Sequence, residues 1–260
     1  MKERRQLAEG RLLGLIFYEP SSRTRLSFES AMYSIGGCCI GITDPSTSSI
    51  EKGENFTDTV IVVSGYVDAL VIRHSKEGAA RYAADISDKP VINAGSGAEE
   101  HPTQALLDLY TIYHVKKRID GLTVGIMGDL RYSRTVYSLL YALSKYDTEI
   151  RLISPPELKL RSDAFIDVKP SWTQHSRLDD VISELDVLYV TRIQKERFPD
   201  PTEYQRVKGS YFVDTAVLER GKSDLIVLHP LPRVDEIKPE VDHLPQAKYF
   251  LQAKLGKDLR

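Results

Sequence analysis

Hydrogen-bond donors are crowded into SSRTR, residues Ser21 to Arg25, between the apolar run LLGLIFY (12–18) and a helical pattern. That pattern places Phe28, Ala31, Met32 and Ile35 at i, i+3, i+4 and i+7. An apolar strand running into hydroxyls and an arginine at a helix start makes an anion seat. The unsatisfied N–H groups and the helix dipole favour negative charge there, phosphate above all. Arg23 adds a planar fork that can grip two phosphate oxygens. A plain N-cap would use one of these residues and leave Ser21, Ser22, Arg23 and Thr24 unexplained as a set.

Other donors follow other apolar runs. Arg73 and His74 end ALVIRH; His101, Thr103 and Gln104 follow PVINAG; Arg134 follows GDLRYS; Arg192 and Gln194 follow DVLYVT; HPLPR (229–233) ends the last run. Alone, His101 reads as a polar cap of a helix opened by Pro102; beside Gln104 it also suits donation to a reacting carbonyl. The loop DPSTSSIEKGEN (44–55) is long for an α/β connection. It reads either as a surface loop or as a lid whose Ser48 and Lys52 reach an anion, in a neighbouring subunit's site for instance. No P-loop, G-x-G-x-x-G, H-E-x-x-H, Ser-His-Asp spacing or metal-spaced carboxylate cluster is present. Such a chain works by placing anionic substrates and stabilising developing charge, not by attacking them. Neither a cofactor nor a metal is expected.

The elements that must carry these donors are short Val/Ile/Leu-rich runs alternating with helical stretches. The runs are 12–18, 38–43, 69–74, 90–95, 122–128, 149–154, 186–191 and 224–230. Runs without clean alternation are strands covered on both faces, as in parallel sheets. The fold class is therefore α/β: two domains, each a mainly parallel β-sheet flanked by helices, with donors at the carboxyl ends of the strands. The helical stretch 102–118, with Ala105, Leu106, Leu109, Ile112 and Tyr113 on its apolar face, is the hinge between two half-size units. Adjacent Cys38 and Cys39 read as small residues entering a buried strand.

The 260 residues carry a formal net charge of −2, with 42% hydrophobic and 28% charged residues. No global field recruits nucleic acid or a membrane surface, so any anion must be caught by local groups. No apolar run approaches the roughly 20 residues of a membrane span. The start of the chain lacks the pattern of a signal peptide, and two neighbouring cysteines with no further ones fit a reducing cytoplasm.

SSRTRLSFE, HPTQALLDL, TRIQKER and HPLPRVDE, in that order, resemble the aspartate and ornithine carbamoyltransferases over nearly the whole chain. TRIQKER, and His229-Pro230 where ornithine enzymes have an HCLP-type motif, resemble the aspartate branch, as does the lid-like TSSIEKGEN. The resemblance implies transfer of the carbamoyl group of carbamoyl phosphate to L-aspartate, in pyrimidine biosynthesis. It implies a carbamoyl-phosphate domain over 1–116, rejoined by 249–260, an aspartate domain over 117–248, and an active site in the interdomain cleft.

It further implies that Ser21, Ser22, Arg23 and Thr24 hold the phosphate, with Ser48 and Lys52 arriving from an adjacent subunit. Arg73, His101 and Thr24 polarise the carbonyl, with Lys52 also among the catalytic groups. Gln104 and the backbone carbonyls of Pro230 and Leu231 hold the amide. Arg134, Arg192 and Gln194, with Lys52, hold the two aspartate carboxylates. A shared site implies a homotrimer. Some family members add regulatory chains with zinc and nucleotide sites; this sequence shows neither and leaves such a partner open. Both ends are shorter than the family pattern, and Glu51 stands beside Lys52 where some relatives have a second base. The alternatives are another amino acceptor, such as ornithine, or a non-catalytic scaffold.

Overall fold

The computed structural model describes residues 6–42, 49–161, 171–195, 198 and 200–260. The chain divides into two compact units, 1–104 with 255–260, and 105–254.

In the first unit, β1 (Leu12–Phe17), β2 (Cys38–Ile42), β3 (Ala69–His74) and β4 (Val91–Ser96) form a sheet in the order β2-β1-β3-β4. Every pairing is parallel, with Phe17 opposite Arg73. Helices α1 (Ser22–Ser34), α2 (Phe56–Ser64) and α3 (Ala79–Ile86) supply the crossovers. Both faces are covered, as the unbroken apolar runs require. Leu13, Leu15 and Phe17 pack with Phe28 of α1, whereas Ile16, Leu70 and Ile72 pack with Val60 of α2 and Ala80 and Ala83 of α3. Each Leu, Ile, Val or Phe side chain among them contributes about 1.5–3 kcal/mol when fully buried. The helix expected after Arg25 is α1, and its expected face is inward at Phe28 and Ala31.

The second unit has one strand more than the apolar runs indicate. β5 (Leu122–Met127), β6 (Thr148–Ile153), β7 (Ser171–His175), β8 (Val187–Val190) and β9 (Ile226–Leu228) form a parallel sheet in the order β7-β6-β5-β8-β9. The additional strand is β7, SWTQH. It lies at the sheet edge with Trp172 43% exposed, so it needs no apolar run. Helices α4 (Pro102–Lys116) and α5 (Arg134–Leu143) belong with one face of this sheet, through Leu109, Ile112, Val136, Leu139 and Leu140. On the other face, Met127, Ile153, Leu188 and Val190 pack with Val213, Leu218 and Tyr249. Short helices α6 (Pro201–Val207) and α7 (Thr215–Leu218) and the final helix α8 (Tyr249–Leu259) complete the elements.

Two expectations about individual faces are corrected. Leu106 and Tyr113 of α4 are exposed, because only Ala105, Leu109 and Ile112 of the proposed face lie inward. β2 is an edge strand rather than a buried one: Cys38 is exposed and Cys39 half-buried. Burial, with Glu29 and Cys38 nearby, pushes the Cys39 thiol up to about 11. Among the described residues no helix is long and apolar enough to cross a membrane.

Candidate active site

In each sheet the strand order reverses direction once, and crossovers leave to opposite faces there. A crevice opens at such a point beyond the carboxyl ends of the strands. The reversal falls between β1 and β3 in the first sheet and between β5 and β8 in the second. Of the groups singled out in the sequence, Ser21–Thr24, Arg73, Arg134, Arg192 and Gln194 stand at or just after these four strands; His101, Thr103 and Gln104 follow β4, HPLPR follows β9, and Lys52 follows β2.

Ser21 is the N-cap residue of α1, with φ −159° and ψ 81°, and its hydroxyl makes no capping hydrogen bond. Ser22 and Arg23 open the first turn, which holds no acidic residue. Thr24 is buried. Arg25 turns away: its Nε donates to Glu29 Oε1 at 2.9 Å, one turn along. The helix start thus carries hydroxyls and Arg23 and no carboxylate.

Arg73, on the neighbouring strand, is mostly buried and held from several sides. Its Nη1 donates to Ala94 O (3.1 Å) and approaches His101 Nε2 (3.5 Å), while Nη2 pairs with Glu19 Oε1 (2.8 Å). Sequence reading missed Glu19, two residues after β1, because only the pairing of β1 with β3 brings it to Arg73. His101 is 5% exposed, and its Nδ1 lies 3.5 Å from Thr103 Oγ1. Since arginine only donates, a neutral ring facing it accepts at Nε2 and then carries its proton on Nδ1. The Thr103 hydroxyl can donate or accept, so it accommodates either tautomer. Gln104, also buried, donates its backbone N–H to His101 O (3.0 Å) and accepts at Oε1 from Arg260 (3.3 Å). Lys52 ends a single 3-10 turn, Ser49–Lys52, and is exposed. Ser48 lies outside the described residues.

In the second unit Arg134 is the first residue of α5 and is 8% exposed. A fully buried carboxylate, Asp129, ties the two switch-point loops together. Its Oδ1 accepts from Tyr132 N (2.8 Å) and its Oδ2 from Gln194 N (3.3 Å), while its own N–H donates to Thr191 Oγ1 (3.1 Å). Gln194 Nε2 donates to Tyr132 O (3.4 Å). Just before Asp129, Gly128 has φ +117°, and a Cβ there would lie 2.1 Å from Thr191 O. Only glycine lets the ends of β5 and β8 approach this closely. Arg192 lines a cavity of about 180 Å3 with Lys195, Tyr204, Lys208, Asp235 and Glu236. Two arginines and an amide at one switch point suit a ligand with more than one carboxylate.

Beyond β9, Pro230 and Leu231 lie in a turn whose Leu231 takes φ +54° and whose Leu231–Pro232 peptide is cis. His229 is buried, accepts at Nδ1 from Leu231 N (2.7 Å) and donates from Nε2 to Glu236 Oε1 (2.7 Å). Burial pushes the Glu236 carboxyl up, but His229 and the N–H groups of Val234 and Glu236 outweigh it and hold the group below its ordinary value. Among the described residues no three His, Cys, Asp or Glu side chains cluster as metal ligands would.

Comparison with known proteins also finds two parts, with the boundary some ten residues further along the chain. Residues 1–114 match the family model of the aspartate/ornithine carbamoyltransferase carbamoyl-P binding domain, and 120–258 that of the Asp/Orn binding domain. The aspartate carbamoyltransferase catalytic subunit of Nitrosopumilus maritimus is 58% identical over 260 residues, covering 99% of this chain and 84% of that one. The catalytic subunit of M. jannaschii aspartate transcarbamoylase superposes with a TM-score of 0.90 at 52% identity, over 99% of this chain and 85% of the other. The Trypanosoma cruzi enzyme, solved in complex with carbamoyl phosphate and aspartate, gives 0.94 at 38% identity, over 98% and 83%. The chain belongs to the aspartate/ornithine carbamoyltransferase family.

Proposed function

We propose that this chain transfers the carbamoyl group of carbamoyl phosphate to the amino group of L-aspartate, giving N-carbamoyl-L-aspartate and phosphate, as a step of pyrimidine biosynthesis in the cytoplasm. The observation that carries this reading is the split donor set. Arg73 and His101 stand 3.5 Å apart in one unit, and Arg134, Arg192 and Gln194 gather about one switch point in the other. In this reading residues 1–116, rejoined by 249–260, are the carbamoyl-phosphate domain and 117–248 the aspartate domain; the matched models over 1–114 and 120–258 support the boundary near 117, and the grouping of 255–260 with the first unit supports part of the return.

Ser21, Ser22, Arg23 and Thr24 hold the phosphate. Arg73 leaves Glu19 for the substrate, and Arg73, Thr24 and His101 polarise the carbonyl oxygen. For this His101 takes its proton on Nε2, and Thr103 turns its hydroxyl to suit. The deprotonated aspartate amine attacks the carbonyl carbon, and a C–N bond forms. Negative charge gathers on the oxygen facing Arg73 and His101, where one such donor is worth about 3–4 kcal/mol. The C–O bond to phosphate then breaks, and the leaving phosphate takes the amine proton. Gln104 and the carbonyls of Pro230 and Leu231 hold the amide, and Arg134, Arg192 and Gln194 hold the carboxylates.

Ser48 and Lys52 complete the phosphate seat from an adjacent chain of a homotrimer, and Lys52 also meets the aspartate carboxylate. Regulatory chains belong to the same proposal as an optional partner of that trimer. Formation of carbamoyl aspartate from the two substrates tests the reading, and its absence with folded protein overturns it. An ornithine-type acceptor has no second carboxylate for Arg192 and Gln194, so competition by succinate separates the two acceptors.

A further inference from the structure

Within the second unit a chain of buried polar contacts ends at the turn after β9. Asp108 of α4 accepts at Oδ1 from Gln252 Nε2 of α8 (2.6 Å), and Gln252 Oε1 accepts from the His229 backbone N–H (2.9 Å). Asp108, Gln252, His229 and Glu236 are each no more than 5% exposed. The His229 ring spans the next step: Nδ1 takes the Leu231 N–H and Nε2 gives its proton to Glu236. The other Glu236 oxygen accepts from Val234 N and Asp235 N, both at 3.1 Å. One carboxylate and one ring therefore fix the backbone on both sides of Pro230, Leu231 and Pro232.

This turn does not rest in a conformation the chain adopts by itself. Leu231 has φ +54°, in the left-handed region that an L side chain disfavours. The Leu231 N–H bond to His229 Nδ1 closes the turn across Pro230 and so sets the direction of the Pro230 carbonyl. Tautomer and charge agree with the geometry. Nδ1 must be bare to accept, so Nε2 carries the hydrogen, and only an acceptor such as the Glu236 carboxylate suits it.

We propose that His229 and Glu236 are positioning residues that aim the backbone carbonyls of Pro230 and Leu231 at the amide hydrogens of the group being transferred. This rests on the carbamoyl-transfer reading above and adds the device by which that reading distinguishes an amide from its methyl isostere.

The test compares phosphonoacetamide with acetonylphosphonate, which differ only in NH2 against CH3, by calorimetric binding to the full chain, with inorganic phosphate as a third ligand. Wild type binds the amide more tightly than the ketone. His229→Leu reduces that preference about three- to tenfold, the worth of one or two hydrogen bonds, and leaves phosphate and ketone affinity unchanged. His229→Asn restores part of it, because an Asn side chain accepts from the N–H two residues on. Glu236→Gln gives an intermediate loss and decides the matter if His229→Leu does not fold. An amide preference unchanged in these variants, or equal weakening of all three ligands, overturns the proposal. If wild type binds neither phosphonate, the carbamoyl-transfer reading itself falls, and the inference with it.

Discussion

Arg73 is held by Ala94 O and Glu19 Oε1 and lies 3.5 Å from His101 Nε2, which fixes its guanidinium beside that ring. Arg73→Ala should lower kcat about 10²–10³-fold, as loss of one oxyanion donor does. Arg73→Lys should recover little, because an ammonium cannot reproduce the planar fork; steady-state rates at saturating substrates check both. The neighbouring His74 is a different kind of histidine. Its ring packs on Tyr18 (4.7 Å between centroids) and Phe56 (5.0 Å), and Nδ1 accepts from Lys76 N. Burial, then the Lys76 charge, lowers its pKa below the ordinary 6.5, with Glu19 opposing. The folded value lies below the unfolded one, so the unfolded chain takes up the proton first as pH falls. The stability this group contributes is full above about pH 6.5 and declines below it. Tm measured from pH 7 to about pH 5 should therefore fall less in His74→Phe than in wild type; parallel curves would count against this.

At the scale of elements, the strands were legible where burial on both faces leaves an unbroken apolar run. All eight such runs contain strands of the two sheets. β7 was not legible, because an edge strand with an exposed Trp172 carries no such signal. The arginines and histidines of the candidate site could be read because donors just after apolar runs mark strand ends. Their acceptor partners could not. Glu19, Asp129 and Glu236 look like any surface carboxylate until Arg73, Gln194 and His229 are brought to them by tertiary contacts. Gly128 is a further case, explained only by the approach of Thr191. Gly128→Ala places a methyl group against that carbonyl at a φ that alanine resists. It should lower Tm on the order of 5–10 °C and weaken dicarboxylate binding, while phosphate binding persists. Thermal melting and succinate titration read the two effects separately.

For the whole molecule, the proposed site shared between chains of a trimer makes a direct prediction. Lys52→Ala chains and Arg73→Ala chains, each nearly inactive, should regain activity when dissociated and reassembled together, since a mixed trimer contains sites with neither defect. No regain would place Lys52 in its own chain's site. The all-parallel sheets have a consequence for how the molecule forms. Each parallel pair needs a crossover, and β5 pairs both with β6, next in the chain, and with β8, after a long excursion: Val124 lies opposite Ile150 on one side and Val187 on the other. Closing the longer loop costs more entropy, so β8 should dock after β5 and β6 have paired. Arg134 follows the early strands and Arg192 and Gln194 the late one. In refolding, circular dichroism should therefore recover before succinate binding; simultaneous recovery would refute that order. A nascent chain would then hold most of its second sheet while still unable to recognise a dicarboxylate.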